Sequence, residues 1–168
     1  MRTSRLWLYS LICRWLPETR FFGFKVRMLR WCGAKVGDNV RINSSASIRG
    51  CGELVVGDDV WIGPMNFISA VGGTKVEIGA HCDLGPQVMI LTGTHKIDVD
   101  GEHIAGGGNS KSVVVGEGCW LGARSTVMPG MTLHAHTVLA AGAVATKNTD
   151  CDYSLMAGVP AQKKKVYK

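Results

Sequence analysis

Five stretches of the chain repeat one six-residue pattern, and a period of six fits neither a helix at 3.6 residues per turn nor a strand at 2. They are Val36–Arg41, Val56–Trp61, Ile78–Asp83, Val115–Trp120 and Leu121–Thr126. Each has an aliphatic residue, a glycine, two variable residues, a small residue and an outward one. Weaker copies fill most of the gaps: Ile42–Ser47, Ile62–Phe67, Leu84–Met89, Val127–Thr132, Leu133–Val138 and Leu139–Val144. Such a period reads as a short strand plus a turn, stacked coil upon coil. The first-position aliphatic points inward onto its copies above and below, the glycine enters the corner, and the small fifth residue fills the inside of the next corner. Three sides close a triangular coil of about 18 residues, and stacked coils bury one apolar column. Residues 36–95 and 113–145 supply about five coils by this count. A sandwich of short strands with glycine turns is the alternative, and the even spacing argues against it.

The formal charge of +6 is unevenly placed. Residues 1–31 hold seven basic side chains (Arg2, Arg5, Arg14, Arg20, Lys25, Arg27 and Arg30) against Glu18 alone, and the remainder balances twelve basic against twelve acidic. A neutral body argues against nucleic acid as a partner. Residues 1–35 form an amphipathic N-terminal segment, with two short helices broken at Pro17. Leu6, Trp7, Leu8, Leu11, Ile12, Trp15 and Leu16 give the first a broad apolar face. Phe21, Phe22, Phe24, Val26, Met28, Leu29 and Trp31 give the second another, with Lys25, Arg27 and Arg30 interspersed. Neither run approaches the ~20 residues of a membrane span, and no small-residue cleavage site follows. The segment is expected either to touch an anionic membrane surface or to cap the open end of the solenoid. The six cysteines lack CxxC spacing and read as reduced, with Cys82 and Cys119 at the small inward position.

The period breaks three times: around Gly50–Glu53, around Ala70–Thr74, and most heavily in a loop excursion over 96–112 that includes Gly106-Gly107-Gly108. Loops thrown from a rigid scaffold wall binding sites. His95 stands at the base of the last one, and imidazole is well matched to accept a proton near neutral pH. A buried structural histidine is the other reading of an isolated His. His81, His134 and His136 sit at variable corner positions, and His103 lies inside the loop. Asn66 is irregular in another way, a polar amide at a fifth position where other copies carry small apolar residues or serine.

The second half of the chain carries longer motifs. Gly118-Cys119-Trp120-Leu121-Gly122-Ala123 followed by Val127-Met128-Pro129-Gly130, then Ala140–Lys147, then Ala157-Gly158-Val159-Pro160-Ala161, resemble successive signatures of the hexapeptide-repeat acyltransferases. The likeness covers residues 36–165. It implies a left-handed parallel β-helix, an all-β solenoid over 36–150, with 151–168 as a tail that completes a coenzyme A site. It implies a homotrimer, with acetyl-coenzyme A held between neighbouring solenoids and no metal. Thr92-Gly93-Thr94-His95 before a long loop is the family's arrangement for a catalytic histidine. Asn66 falls within one residue of the family's asparagine, about 30 residues earlier, which contacts the acceptor. For the cofactor the resemblance implies Trp120 beside the thiol end, Ala123 and Ala141 against the pantetheine arm, Thr146 and Lys147 near the nucleotide, and Lys165 at the 3′-phosphate. The stretch Gly72-Gly73-Thr74-Lys75 lacks the acidic residue common in the family's sugar acetyltransferases, and Leu133-His134 and Leu139-Ala140 lack the corner glycine.

These features imply an O-acetyltransferase in which His95 deprotonates an acceptor hydroxyl as it attacks the thioester, and a backbone N–H near Gly122–Arg124 holds the oxyanion. The basic head and short solenoid look like acetyltransferases of surface-polysaccharide assembly. The acceptor is expected to be a sugar or glycan hydroxyl, and the location cytoplasmic, peripheral to the inner face of the membrane. Other acceptors (an antibiotic or amino acid), a non-catalytic solenoid, and a zinc enzyme of the γ-carbonic-anhydrase type are the competing readings. For the last, His95 and His103 are too widely spaced.

Overall fold

Each six-residue unit forms one short strand and one corner, and three units close a coil. In the computed structural model, which describes residues 1–168, two helices come first: α1 (Thr3–Cys13) and α2 (Phe22–Trp31). The first coil is β1 (Lys35–Val36), β2 (Arg41–Ile42) and β3 (Ser47–Arg49), and the second is β4 (Glu53–Val56), β5 (Trp61–Ile62) and β6 (Phe67–Ser69). The third is β7 (Lys75–Ile78), β8 (Asp83–Leu84) and β9 (Met89–Leu91), after which β10 (Gly93–Ile97) and β11 (Ala105–Ser110) leave the stack. The fourth is β12 (Val113–Val115), β13 (Trp120–Leu121) and β14 (Thr126–Val127), and the fifth is β15 (Thr132–Leu133), β16 (Val138–Leu139) and β17 (Val144–Ala145). Finally β18 (Ser154–Ala157) extends the stack and β19 (Gln162–Val166) folds back antiparallel upon it.

The pairing between coils is parallel and makes three sheets. Sheet A is β1-β4-β7-β12-β15, sheet B is β2-β5-β8-β13-β16-β18, and sheet C is β3-β6-β9-β14-β17. The result is the parallel β-solenoid of about five turns that the repeat implies. First-position aliphatics stack in register, as in the column Ile42, Ile62, Leu84, Leu121, Leu139 and Met156 along sheet B. All six are buried, within one continuous core. Each such side chain stabilises the stack by about 1.5–3 kcal/mol through burial. Cys82 and Cys119 do point inward, donating their thiols to the carbonyls of Gly116 and His134, each at 3.1 Å.

Close approach, rather than an unusual φ, explains the consensus glycine. A Cβ on Gly57 would lie 2.5 Å from the Ala80 nitrogen, and one on Gly79 or Gly122 would lie 2.6 Å from the nitrogen of Glu117 or Ala141. Parallel strands stack about 4.8 Å apart, so the corner has no room for a methyl group. The left-handed turn falls two positions later, on residues with side chains: Asn39, Asp59, His81 and His136 between sheets A and B, and Met65, Gln87 and Arg124 between sheets B and C. For L-residues this conformation costs about 1–2 kcal/mol each, which the backbone ladder on either side must offset.

Register shows where the repeat is disturbed. Leu121 pairs with Leu139, 18 residues on, the length of an undisturbed coil. From Ile42 to Ile62 takes 20 residues, from Ile62 to Leu84 takes 22, and from Leu84 to Leu121 takes 37. The whole surplus falls at one corner, between sheets C and A. The excursion over 96–112 differs from the expected loop. It is largely an antiparallel hairpin that begins earlier, with Gly93 opposite Ser110, Thr94 opposite Asn109 and His95 opposite Gly108. The Asp100-Gly101 pair within its tip is a hairpin-turn signal in the sequence itself.

The N-terminal helices break at Pro17 as expected and cover the first coil, α1 resting on β3 and α2 on β1 and β2. Leu6, Tyr9, Cys13, Val26 and Leu29 are the residues they bury. The Arg5 guanidinium ties the two helices, donating to the Trp31 carbonyl at 2.7 Å and lying 4.5 Å from the Trp31 ring centre. Lys25 departs from its expected place on the basic face and is fully buried. Its ammonium donates to the Glu18 carbonyl at 2.9 Å and to Ser44 Oγ at 3.1 Å, and burial pulls its pKa below the usual lysine range. No helix is long and apolar enough to cross a membrane.

Gly57→Ala is expected to lower stability by about 1–3 kcal/mol, because its methyl group must push the next coil away. Gly107→Ala, where an added Cβ meets nothing within 4 Å, is expected to change it by less than about 0.5 kcal/mol. Denaturant titration of the two variants checks the contrast.

Candidate active site

All three period breaks line up on the corner between sheets C and A, and together they shape its surface. Cys51, Gly52, Gly73, Thr74, Lys75 and Ser112 border a depression of about 570 Å³ there. A second one, of about 370 Å³, is bordered by Val71, Gly93, Thr94, His95, Gly108, Asn109 and Ser110. The base of the corner is held by a buried pair of threonines. Thr74 Oγ1 bonds Thr92 Oγ1 at 2.7 Å, and Thr92 Oγ1 accepts from the Val71 N–H at 2.8 Å.

His95 projects from β10 into the second depression and is exposed. Its Nδ1 lies 2.8 Å from the Gly106 carbonyl oxygen on the facing strand. A carbonyl can only accept, so Nδ1 carries a proton, and in the neutral ring the lone pair lies on Nε2. That tautomer is the one a general base requires. The group that orients the ring is a main-chain carbonyl. Nothing in the sequence marked Gly106 for that role beyond its place in the Gly106–Gly108 run.

The corner between sheets B and C carries the other half of the expected site. Its third position is Pro64, Pro86, Ala123 and Ala141 in successive coils. The carbonyls of Pro64, Pro86 and Ala123 accept from the N–H of Gln87, Arg124 and Gly142 one coil on, at 2.9, 2.9 and 2.8 Å. Prolines have no N–H to satisfy. The Ala123 and Ala141 N–H groups do, and no carbonyl of the chain accepts from them. They are two unpaired donors on a partly exposed edge. The neighbouring Gly122 and Arg124 N–H groups are already spent within the stack. Trp120, 57% exposed, stands just before this edge on the outer face of sheet B, between Asp83 and Val138.

The remaining expected residues divide among the corners. Thr146 and Lys147, both exposed, follow β17 at the same corner as His95, two coils further along. Among the tail lysines, Lys163 is engaged by Asp150 at 2.6 Å, whereas Lys165 is exposed and its Nζ lies 4.9 Å from the Tyr167 ring centre. Asn66 does not reach the surface. It is 1% exposed, and its Nδ2 donates to the carbonyls of Gly63 at 2.7 Å and Gly85 at 2.9 Å. This placement holds the amide against two corner carbonyls through Nδ2 and leaves Oδ1 without a partner in the chain. The side chain presented at that corner is its neighbour Met65, 55% exposed. The chain thus brings Trp120, Ala123 and Ala141 together and sets His95 at the opposite edge of sheet C. One side of about six residues, roughly 20 Å of extended chain, lies between the two corners.

Fold and surface together define a parallel β-solenoid with one oriented imidazole at a corner. Residues 112–147 match the family model described as the hexapeptide repeat of succinyl-transferase. Over 139 residues, 82% of this chain and 72% of the relative, the sequence is 32% identical to a protein of Escherichia coli (strain K12) that carries the name colanic acid biosynthesis acetyltransferase WcaF. Over 84 residues, 49% of this chain and 40% of the relative, it is 36% identical to galactoside O-acetyltransferase of Lactococcus lactis subsp. lactis (strain IL1403). Among solved structures it resembles galactoside acetyltransferase in complex with coenzyme A, with a TM-score of 0.69 and 15% identity, covering 99% of this chain and 80% of that one. It also resembles maltose O-acetyltransferase from Clostridium difficile 630, with a TM-score of 0.66 and 20% identity, covering 99% and 87%. At these identities the likeness to the two structures is one of fold. The chain belongs to the hexapeptide-repeat acetyltransferase family.

Asn66→Ala removes two buried hydrogen bonds and is expected to lower stability by about 1–3 kcal/mol. A raised acceptor KM in the protein that folds would add an acceptor contact to that structural role, and an unchanged KM would confine Asn66 to it. Thermal melts and acceptor titration, run on one preparation, separate the two effects.

Proposed function

We propose that the protein is an acetyl-coenzyme A-dependent O-acetyltransferase acting on a hydroxyl of a sugar or surface-polysaccharide precursor, with His95 as general base. The observation that carries this reading is the Gly106 carbonyl, which fixes the His95 tautomer and leaves Nε2 as an acceptor beside a surface depression. The acceptor hydroxyl gives its proton to Nε2 while its oxygen attacks the thioester carbonyl. The Ala123 N–H, unpaired in the chain, is the donor assigned to the developing oxyanion. As the carbon–sulfur bond breaks, the imidazolium returns the proton to the thiolate, and coenzyme A leaves as a thiol. Binding both substrates in one cleft supplies further rate enhancement by proximity.

The separation of His95 from Ala123 and Ala141 supports a homotrimer as the working unit. A threefold axis sets the C–A corner of one chain against the B–C corner of the next, so that each cleft takes its base from one subunit and its thioester seat from another. Trp120 then offers an apolar surface to the thiol end, the Ala141 N–H a donor to the pantetheine amides, and Thr146 and Lys147 contacts to the nucleotide. Lys165, not held by an ion pair, is the tail cation assigned to the 3′-phosphate. The E. coli relative named for colanic acid biosynthesis and the Lactococcus galactoside O-acetyltransferase support a saccharide acceptor. The exposed aromatics of α1 and α2 support a cytoplasmic enzyme peripheral to the inner face of the membrane.

His95→Ala is expected to lower turnover by about 10²-fold or more while oligomer size and coenzyme A binding are kept. Thiol release from acetyl-coenzyme A in the presence of a panel of sugars measures it, and near-wild-type activity would remove His95 as the base. Lys165→Ala is expected to raise the acetyl-coenzyme A KM about tenfold with little change in kcat, and an unchanged KM would exclude this lysine from the cofactor site.

A further inference from the structure

The helices that close the solenoid are apolar on both sides, and the cap explains only one of them. At 100° per residue, Leu6, Tyr9 and Cys13 fall on one side of α1 and are buried. Trp7, Leu8 and Leu11 fall on the opposite side, Trp15 follows in the turn after the helix, and all four stay exposed, Trp15 at 85% and Trp7 at 65%. On α2, Val26 and Leu29 face the first coil, while Phe24 and Trp31 are 45% and 46% exposed on the far side. A helix apolar all round is normally buried all round. This one has an unpartnered face.

Charge identifies what covers it. Arg14 and Arg20 at the end of α1 and in the turn after it, and Arg27 on α2, are exposed at the rim of this face and form no ion pair. The one acid of the segment, Glu18, is turned away, its carboxylate accepting from Ser45 N–H at 3.1 Å and Ser45 Oγ at 3.0 Å. The face is therefore cationic as well as aromatic. A second copy of the same face would bring like charges together, whereas anionic lipid headgroups complement it. Tryptophan and phenylalanine interleaved with arginine are the side chains that settle at the boundary between headgroups and acyl chains.

We propose that the outward face of α1 and α2 docks on an anionic lipid bilayer and stands the solenoid end-on, its axis along the membrane normal. This deepens the reading of a membrane-peripheral enzyme and draws on the trimer proposed above. Threefold symmetry puts all three caps at the same end, so the contact is trivalent. Coils rise about 4.8 Å each, and a helix layer adds about 10 Å. His95, in the third coil, then stands roughly 20 Å above the headgroups, within reach of a glycan carried on a lipid.

Flotation of the full-length protein with vesicles of phosphatidylcholine, alone or mixed with phosphatidylglycerol, tests this without any transfer assay. The wild type is expected to float only with the mixed vesicles and to dissociate at high salt. Trp7→Ser with Trp15→Ser, and separately Arg14→Gln with Arg20→Gln and Arg27→Gln, are expected to weaken binding about tenfold or more with circular dichroism and oligomer size unchanged. No flotation of the wild type overturns the proposal, as does equal flotation with both vesicle types. Concentration-dependent pairing of trimers that the tryptophan variants abolish, without lipid binding, assigns the face to a second copy instead.

Discussion

The backbone ladder between coils, at about 4.8 Å per step, is the constraint on which everything else in the molecule depends. It leaves no room for a Cβ at Gly57, Gly79 or Gly122, and it forces the turn two residues later into left-handed backbone. It also keeps chemically unlike residues in register, so that Pro64, Pro86, Ala123 and Ala141 occupy one line. Once the line exists, replacing proline by alanine creates an N–H with nothing inside the chain to accept it. Two donors appear on the surface as a by-product of the stacking rule.

The same rule concentrates variation. An insertion within a sheet would break the column of inward aliphatics, whereas one at a corner only lengthens a connection. The extra length of the first and second coils, and the hairpin that follows the third, are all placed at the corner between sheets C and A. This stacking of exceptions builds the depressions beside His95. The hairpin adds what a flexible loop would lack: an antiparallel partner strand whose Gly106 carbonyl meets the imidazole and settles its tautomer. Rigidity around His95 and tolerance of insertions thus arise at the same place.

The N-terminal helices answer a different need. A solenoid ends in an open apolar cross-section, and α1 and α2 close it with Leu6, Tyr9, Val26 and Leu29. Lys25 is part of that closure rather than of the basic surface, since its ammonium bridges Glu18 and Ser44 beneath the helices. The arginines left on the outside, with Trp7 and Trp15, give the cap its second, outward character.

The sequence by itself determined the coil, because a period of six with recurring glycine admits few other packings, and it marked His95, Trp120 and the alanine pair through their motifs. It also marked the helix break at Pro17 and the inward thiols of Cys82 and Cys119. Tertiary structure decided what depends on direction and on partners distant in the chain. Whether Asn66 turned inward, whether Lys25 joined the core, and which carbonyl met His95 rest on side-chain orientation, which a six-residue pattern leaves free. The distribution of the candidate residues over two edges of sheet C likewise followed only from closing the triangle, since linear spacing carries no information about which corner a residue occupies until the inserted residues have been assigned.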